Sequence, residues 1–191
     1  MPVARLLCDI LFLMKNALKL IVLVTLGLLV APSTVFAATA PTISTIALSA
    51  NSTTKFNHSG FLATSAGWSS PEALGTWTVA SQATLKLSLP RFRHTAEIAF
   101  KSWGFVNKKN PKVTLSVFVN SKSVVTFVYS PSQNDLVRLL DIPASVLGAK
   151  FSNVPILLKI SGIQSPHNLG MSLDKRNLGI YLESMTLKSL S

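Results

Sequence analysis

The chain has 191 residues, of which 48% are hydrophobic, and a formal net charge of +11 at pH 7. This length is enough for one domain with its own apolar core, and no internal repeat is visible. Cys8 is the single cysteine and lies near the amino terminus. The rest of the chain therefore has no disulfide, no thiolate metal site and no cysteine nucleophile.

Residues 1–37 are typical of a secretory signal peptide. Basic residues come first, the apolar run 20–30 follows, and small residues lead to Ala37. Crossing a bilayer takes about 20 apolar residues, so this run favours cleavage after Ala37 over the alternative, an uncleaved membrane anchor. We expect an exported protein, periplasmic or secreted, with no stable membrane span after cleavage.

Residues 38–58 are rich in Ala, Ser, Thr and Asn, and we interpret them as a flexible leader with a possible edge strand. Residues 59–191 are predicted to form one β-sandwich domain. Apolar and polar residues alternate in this part, which is the period of half-buried strands. Segments with this alternation are 84–89, 95–101, 113–119, 156–161 and 178–187.

Turn-forming residues separate these segments. Asn120-Ser121 is typical of a tight hairpin, and a change of parity near Glu183-Ser184 predicts a β-bulge. Residues 143–147 suggest a single helical turn with proline at its first position. Strands without intervening helices predict an all-β fold, an antiparallel sandwich or jelly roll.

Two segments, 67–78 and 165–180, break the alternation and are dense in Gly, Pro and charged residues. Loops of this kind on a rigid β scaffold often carry binding residues. An exposed indole stacks on the C–H side of a sugar ring, while carboxylate and guanidinium groups bind hydroxyls. The candidate ligand-binding residues are Trp68, Glu72, Trp77, Asp174 and Arg176.

The same residues also fit a structural role. Tryptophan is usually well buried, so Trp68 and Trp77 would then fill the core. Arg176 would pair with Glu72 or Asp174. In that case the domain is a structural or partner-binding module of the envelope without sugar affinity.

Residues 67–77 match the pattern G-W-S-x-P-E-x-x-G-x-W, and residues 165–179 match S-P-x-x-L-G-x-S-x-D-x-R-x-L-G. The two segments resemble the paired signatures of a bacterial β-sandwich domain of poorly defined function, often appended to membrane, capsule or O-antigen glycosyltransferases. The resemblance covers residues 60–188. The sequence departs from it at Ser121, where that family carries glycine. The resemblance implies a sandwich like those of carbohydrate-binding modules.

Several features argue against catalysis. The histidines lack metal-ligand spacing, and no G-x-S-x-G motif occurs. Glu72 and Asp174 are a possible carboxylate pair for glycoside hydrolysis. Arg176, however, favours an ionised and paired Asp174. We therefore predict a non-catalytic protein without metal or cofactor, with a glycan-processing enzyme as the alternative.

Without residues 1–37, fifteen Lys and Arg face six Asp and Glu, a net charge of +9. Such a surface attracts anionic partners over long range, and for an exported protein these are envelope anions rather than nucleic acid. The predicted partner is cell-envelope polysaccharide or glycolipid, with an envelope protein as a second possibility. The lysines are scattered along the sequence, so a basic surface without a specific ligand is the open alternative.

Overall fold

The computed structural model describes residues 45–57 and 66–191. The predicted signal peptide, 1–37, and part of the predicted leader lie outside the described residues. A short helix, α1 (Ala144–Leu147), accompanies the strands of this region. These strands are β1 (Thr45–Ala47), β2 (Thr53–Lys55), β3 (Thr76–Trp77), β4 (Gln82–Ser88), β5 (Thr95–Gly104), β6 (Val113–Val119), β7 (Lys122–Tyr129), β8 (Leu136–Pro143), β9 (Val154–Ser161) and β10 (Ile180–Leu190).

The described strands form two sheets. The first sheet has the order β1-β4-β9-β6-β7, and the second has the order β2-β10-β5-β8, with β3 also paired to β10. Neighbouring strands are antiparallel except β1 and β4, which pair in parallel. The predicted all-β sandwich is confirmed. Because β1 and β2 lie within residues 38–58, the segment interpreted as a leader contributes a strand to each sheet.

The core lies between the sheets and follows from the alternation in the sequence. Strand β6 buries every second residue, from Val113 to Val119. From the second sheet, β5 and β10 contribute core residues such as Ile98, Phe100 and Met185. A polar contact also crosses the core: the hydroxyls of Ser102 and Tyr129 lie 2.8 Å apart. Mutual burial of the two apolar faces therefore holds the sheets together.

The hairpin and the bulge predicted from the sequence are both confirmed. Asn120 and Ser121 join β6 to β7 with φ angles of 47° and 65°, the left-handed values of a type I′ turn. The register of β10 against β5 shifts between Leu182 and Ser184. Pro143 forms the N-cap of α1. Within the described residues, no helix has the length and apolar character needed to cross a bilayer.

Truncation of a side chain on β9 tests the core. Leu158 lies on this inner strand of the first sheet and is 1% exposed. Leu158→Ala should lower the free energy of unfolding by about 2–5 kcal/mol, because it leaves a cavity. Leu139→Ala, on the exposed face of β8, is the control and should change it by about 0.5 kcal/mol or less. Urea unfolding measures both, and equal losses would contradict this assignment of the core.

Candidate functional site

The two segments singled out in the sequence meet at Arg176. Its Nη1 lies 3.0 Å from Glu72 Oε1, and its Nη2 lies 2.7 Å from Asp174 Oδ2. Its Nε donates to both oxygens of Asp174 at 3.1 Å. We call Glu72, Asp174 and Arg176 the ion cluster. It joins loops that are distant in sequence, so these three predicted site residues are brought together.

The first loop is a closed hairpin that presents Glu72. Trp68 bridges to Thr78, and the N–H of Glu72 donates to the carbonyl of Gly75 at 2.7 Å. A β-carbon on Gly75 would lie 2.4 Å from the carbonyl oxygen of Leu182. Glycine at this position therefore allows the loop to lie directly against β10.

The second loop is held by hydrogen bonds to its own backbone. The carbonyl of Asp174 accepts from the N–H of His167 at 2.9 Å and from the Ser165 hydroxyl at 3.1 Å. The carboxylate of Asp174 accepts from the backbone N–H of Arg176 at 2.9 Å. These bonds fix the direction in which the Arg176 side chain leaves the loop.

The ion cluster is accessible to solvent. The side chains of Arg176, Glu72 and Asp174 are 42%, 39% and 28% exposed. Hydrogen bonds from Arg176 lower the pKa of Asp174, and Asp174, followed by Glu72, raises the pKa of Arg176. Asp174 and Arg176 are therefore both charged at neutral pH. Arginine has five N–H donors, and the second hydrogen on each Nη has no acceptor among the described residues.

The structure places Trp68 differently from the prediction that it binds a ligand. It is 8% exposed, its ring stacks on Phe56 at 6.2 Å, and its Nε1 donates to the carbonyl of Thr84 at 2.9 Å. A nearly buried indole with these contacts is part of the core. The prediction of a solvent-facing ring at this position was wrong, because the motif does not say which side of the loop faces the sheets.

Trp77 lies on the outer face of the second sheet. It is half-buried and packs edge-on against Tyr181, with ring centroids 4.9 Å apart. Trp103 stacks on the same tyrosine at 4.5 Å with an interplanar angle of 22°. The three rings follow one register line, since Tyr181 pairs with Trp77 on β3 and with Trp103 on β5. We call Trp77, Tyr181 and Trp103 the aromatic row.

The aromatic row and the ion cluster are neighbours. Burial raises the pKa of the Tyr181 phenol, and the nearby Glu72 carboxylate raises it further. The ring of Tyr181 also lies against Gly75, the residue that closes the Glu72 hairpin. Charged groups and half-buried indoles therefore belong to one continuous surface.

Trp103 and Tyr181 were missed as site residues, although the sequence contains a signal for both. In β5 the even-numbered residues Ala96, Ile98, Phe100 and Ser102 are all buried. Trp103 is odd-numbered, like the exposed Lys101, and so lies on the opposite face of the strand. Tyr181 likewise alternates with two core residues of β10. An aromatic residue with this parity lies on the outer face of the sheet, where Trp103 is half-buried and Tyr181 is covered by the neighbouring indoles.

No group of three or more His, Cys, Asp and Glu side chains in residues 45–57 and 66–191 is arranged to hold a metal ion. No family model and no curated protein matches the chain. The resemblance to the glycosyltransferase-associated domain thus stays a prediction.

Solved structures show weak similarity. One is the CBM36-1 domain of a multidomain xylanase from the hindgut metagenome of Trinervitermes trinervoides, with 9% identity, a TM-score of 0.38, and coverage of 73% of this chain and 98% of that chain. Another is a carbohydrate-binding module CBM36 in complex with calcium and xylotriose, with 10% identity, a TM-score of 0.34, and coverage of 78% and 96%. Similarities at this level carry no inference about what this chain binds.

The stability of the fold should depend on pH through the ionisation of Asp174. Its native pKa lies below the ordinary value of 3.8, so ionised Asp174 stabilises the fold above that pH. This stabilisation is lost as the pH falls through the lowered native pKa. Because the ion cluster is partly exposed, we expect about 1 kcal/mol or less. In the Asp174→Asn variant, the free energy of unfolding should therefore fall less steeply as the pH is lowered.

Urea unfolding at a series of pH values between about 5 and 2 covers this window. Asp141→Asn, which removes an exposed carboxylate from β8, is the control and should keep the slope of the wild type. If Asp174→Asn also keeps that slope, Asp174 is not stabilised by Arg176.

Proposed function

We propose that this chain is an exported, non-catalytic carbohydrate-interacting module of the cell envelope, and that its sugar site consists of the ion cluster and the aromatic row. The observation that carries the proposal is the position of the exposed Arg176 guanidinium, fixed between two carboxylates and beside half-buried indoles.

The ion cluster supplies the polar half of such a site. Sugar hydroxyls both donate and accept hydrogen bonds, so a site needs fixed donors and fixed acceptors close together. Arg176 offers its remaining N–H groups, and Glu72 and Asp174 offer carboxylate oxygens. Because the protein already holds the three groups in place, binding does not require ordering of long side chains.

The aromatic row supplies the apolar half. Trp77 and Trp103 flank Tyr181, which is 5% exposed, so the indoles carry the accessible ring surface of the row. Stacking on Tyr181 restricts Trp103, and edge contacts with Phe105 and Tyr181 restrict Trp77. Rigid aromatic side chains bury apolar sugar surface at a low entropic cost.

The same geometry argues for binding rather than hydrolysis. A glycosidase needs one carboxyl group that is protonated near neutral pH. Hydrogen bonds from Arg176 lower the pKa of Asp174, and Glu72 pairs with the same guanidinium. Asp174 thus serves as an acceptor and not as a general acid, and Glu72 accepts a hydrogen bond from the same guanidinium.

Export rests on the amino-terminal sequence, where a basic segment, an apolar run and small residues occur in the order typical of a signal peptide. The proposed ligand is therefore envelope polysaccharide or glycolipid. A role beside membrane or capsule glycosyltransferases follows only from the resemblance and is part of the proposal.

A protein partner is the second candidate. Leu74, Met171 and Leu173 are 65%, 52% and 90% exposed and lie on the two loops that form the ion cluster. Exposed apolar side chains beside a polar site are also typical of protein interfaces. A structural or partner-binding envelope domain would use these side chains without any affinity for sugar.

The sugar site is tested with the purified protein on an array of envelope polysaccharides and lipopolysaccharides. Arg176→Ala should weaken glycan binding about tenfold or more, because hydrogen bonds to a charged group contribute about 1.5–3 kcal/mol. Trp103→Ala should weaken it through loss of the ring surface. Binding is measured by affinity electrophoresis or calorimetry.

Lys86→Ala is the matched control, since it removes one positive charge from the first sheet. It should bind as the wild type does. Unfolding curves establish that each variant is folded. Glycan binding that is unchanged in both Arg176→Ala and Trp103→Ala would refute the site, and an absence of glycan binding by the wild type would favour the protein-partner candidate.

A further inference from the structure

The outer face of the second sheet continues beyond the aromatic row. On β10, Ser184 pairs with Lys55 on β2 and with Lys101 on β5. The two lysines therefore flank Ser184. These three residues form the next line across the sheet after the aromatic row. We call Lys55, Ser184 and Lys101 the lysine row.

Small and hydroxyl-bearing side chains form the next line. Thr186 pairs with Thr53 on β2 and with Ala99 on β5, and the two threonine hydroxyls lie 2.8 Å apart. Since none of these side chains is long, a ligand is able to lie close to the sheet at this point.

The lysine row and the neighbouring residues Thr53, Thr186 and Ala99 border a shallow recess. Two depressions of about 220 Å³ each share Thr53, Lys101 and Ser184 among their described lining residues. The first also includes Lys55 and Glu183, and the second reaches Lys188 and Val137. Because they share residues, they form one elongated recess along β10.

The recess has a positive charge. Lys55, Lys101 and Lys188 line it, and Glu183 is the carboxylate among its described lining residues. Glu183 is 12% exposed and lies 2.6 Å from Lys101, whose own side chain is 57% exposed. An ammonium group has three donors, so Lys101 keeps hydrogens for a ligand while Glu183 holds it in place.

We propose that this recess binds the acidic groups of a polysaccharide chain whose neighbouring sugar lies on the aromatic row. The inference rests on the proposed function and adds the ligand class: a polymer with carboxylates along its length. Lys55 and Lys101 lie on either side of β10, about 10 Å apart at the backbone, and both side chains line the recess together with Ser184.

A polysaccharide fits this surface better than a membrane does. A flexible chain enters a recess, whereas a flat layer of lipid headgroups contacts the side chains that protrude around it. The floor is also lined with hydroxyls, which hydrogen-bond to sugar hydroxyls.

The experiment compares polygalacturonate, its methyl-esterified neutral form, and anionic phospholipid vesicles as probes of the full protein. The test variant K55Q/K188Q leaves the Lys101–Glu183 pair intact. We expect this variant to bind polygalacturonate at least tenfold more weakly and to bind the neutral polymer as the wild type does. Added salt should weaken only the acidic interaction of the wild type.

The control variant K86Q/K112Q removes the same charge outside the recess and should bind polygalacturonate like the wild type. Equal losses in the two double variants would overturn the recess in favour of net charge. Unchanged binding by K55Q/K188Q would also overturn it, as would wild-type binding to vesicles but not to polygalacturonate.

The failure of the proposed function has a different signature. If Arg176→Ala and Trp103→Ala leave binding of the neutral polymer unchanged, the sugar site itself is refuted. If these variants lose neutral binding while K55Q/K188Q keeps full binding to polygalacturonate, the sugar site stands and only the acidic recess is refuted.

Discussion

The position of both candidate surfaces depends on the backbone pairing of β10. This strand pairs with β5 on one side and with β2 and β3 on the other. Burial of Leu182 and Met185 fixes its register, because a slip by one residue would expose them and bury polar groups. Tyr181 and Ser184 are consequently held on the outer face, so the core determines where the surface residues lie.

The bulge within β10 reconciles two apolar segments of opposite parity. Ile180 and Leu182 face the core before it, and Met185 and Leu187 face the core after it. Without an extra residue, one pair would face solvent. The bulge also leaves Glu183 beside Lys101, so the same irregularity that preserves the core positions a charged pair in the recess.

The fold could be predicted from the sequence because its signals are local. Alternation predicts strands, Asn120-Ser121 predicts the hairpin, and a change of parity predicts the bulge. The pairing order of the strands is not local, and the parallel contact of β1 with β4 was missed.

The candidate site was predicted only in part, because local signals again succeeded and contacts between distant segments did not follow from the sequence. The ion cluster follows from charges in two dense loops, whereas the opposite placement of Trp68 and Trp77 depends on how the hairpin packs.

Lysines that are far apart in the sequence lie close together in this fold. The wide separation of the lysines in the sequence left open a basic surface without a specific ligand. The register, however, places Lys55 and Lys101 on either side of Ser184. Charges brought into one line by backbone pairing are concentrated at one place on the surface, whereas charges distributed over a surface contribute mainly to long-range attraction. Aromatic rings, lysines and hydroxyl groups therefore follow one another along β10. A surface with this order suits an extended ligand with repeating chemistry.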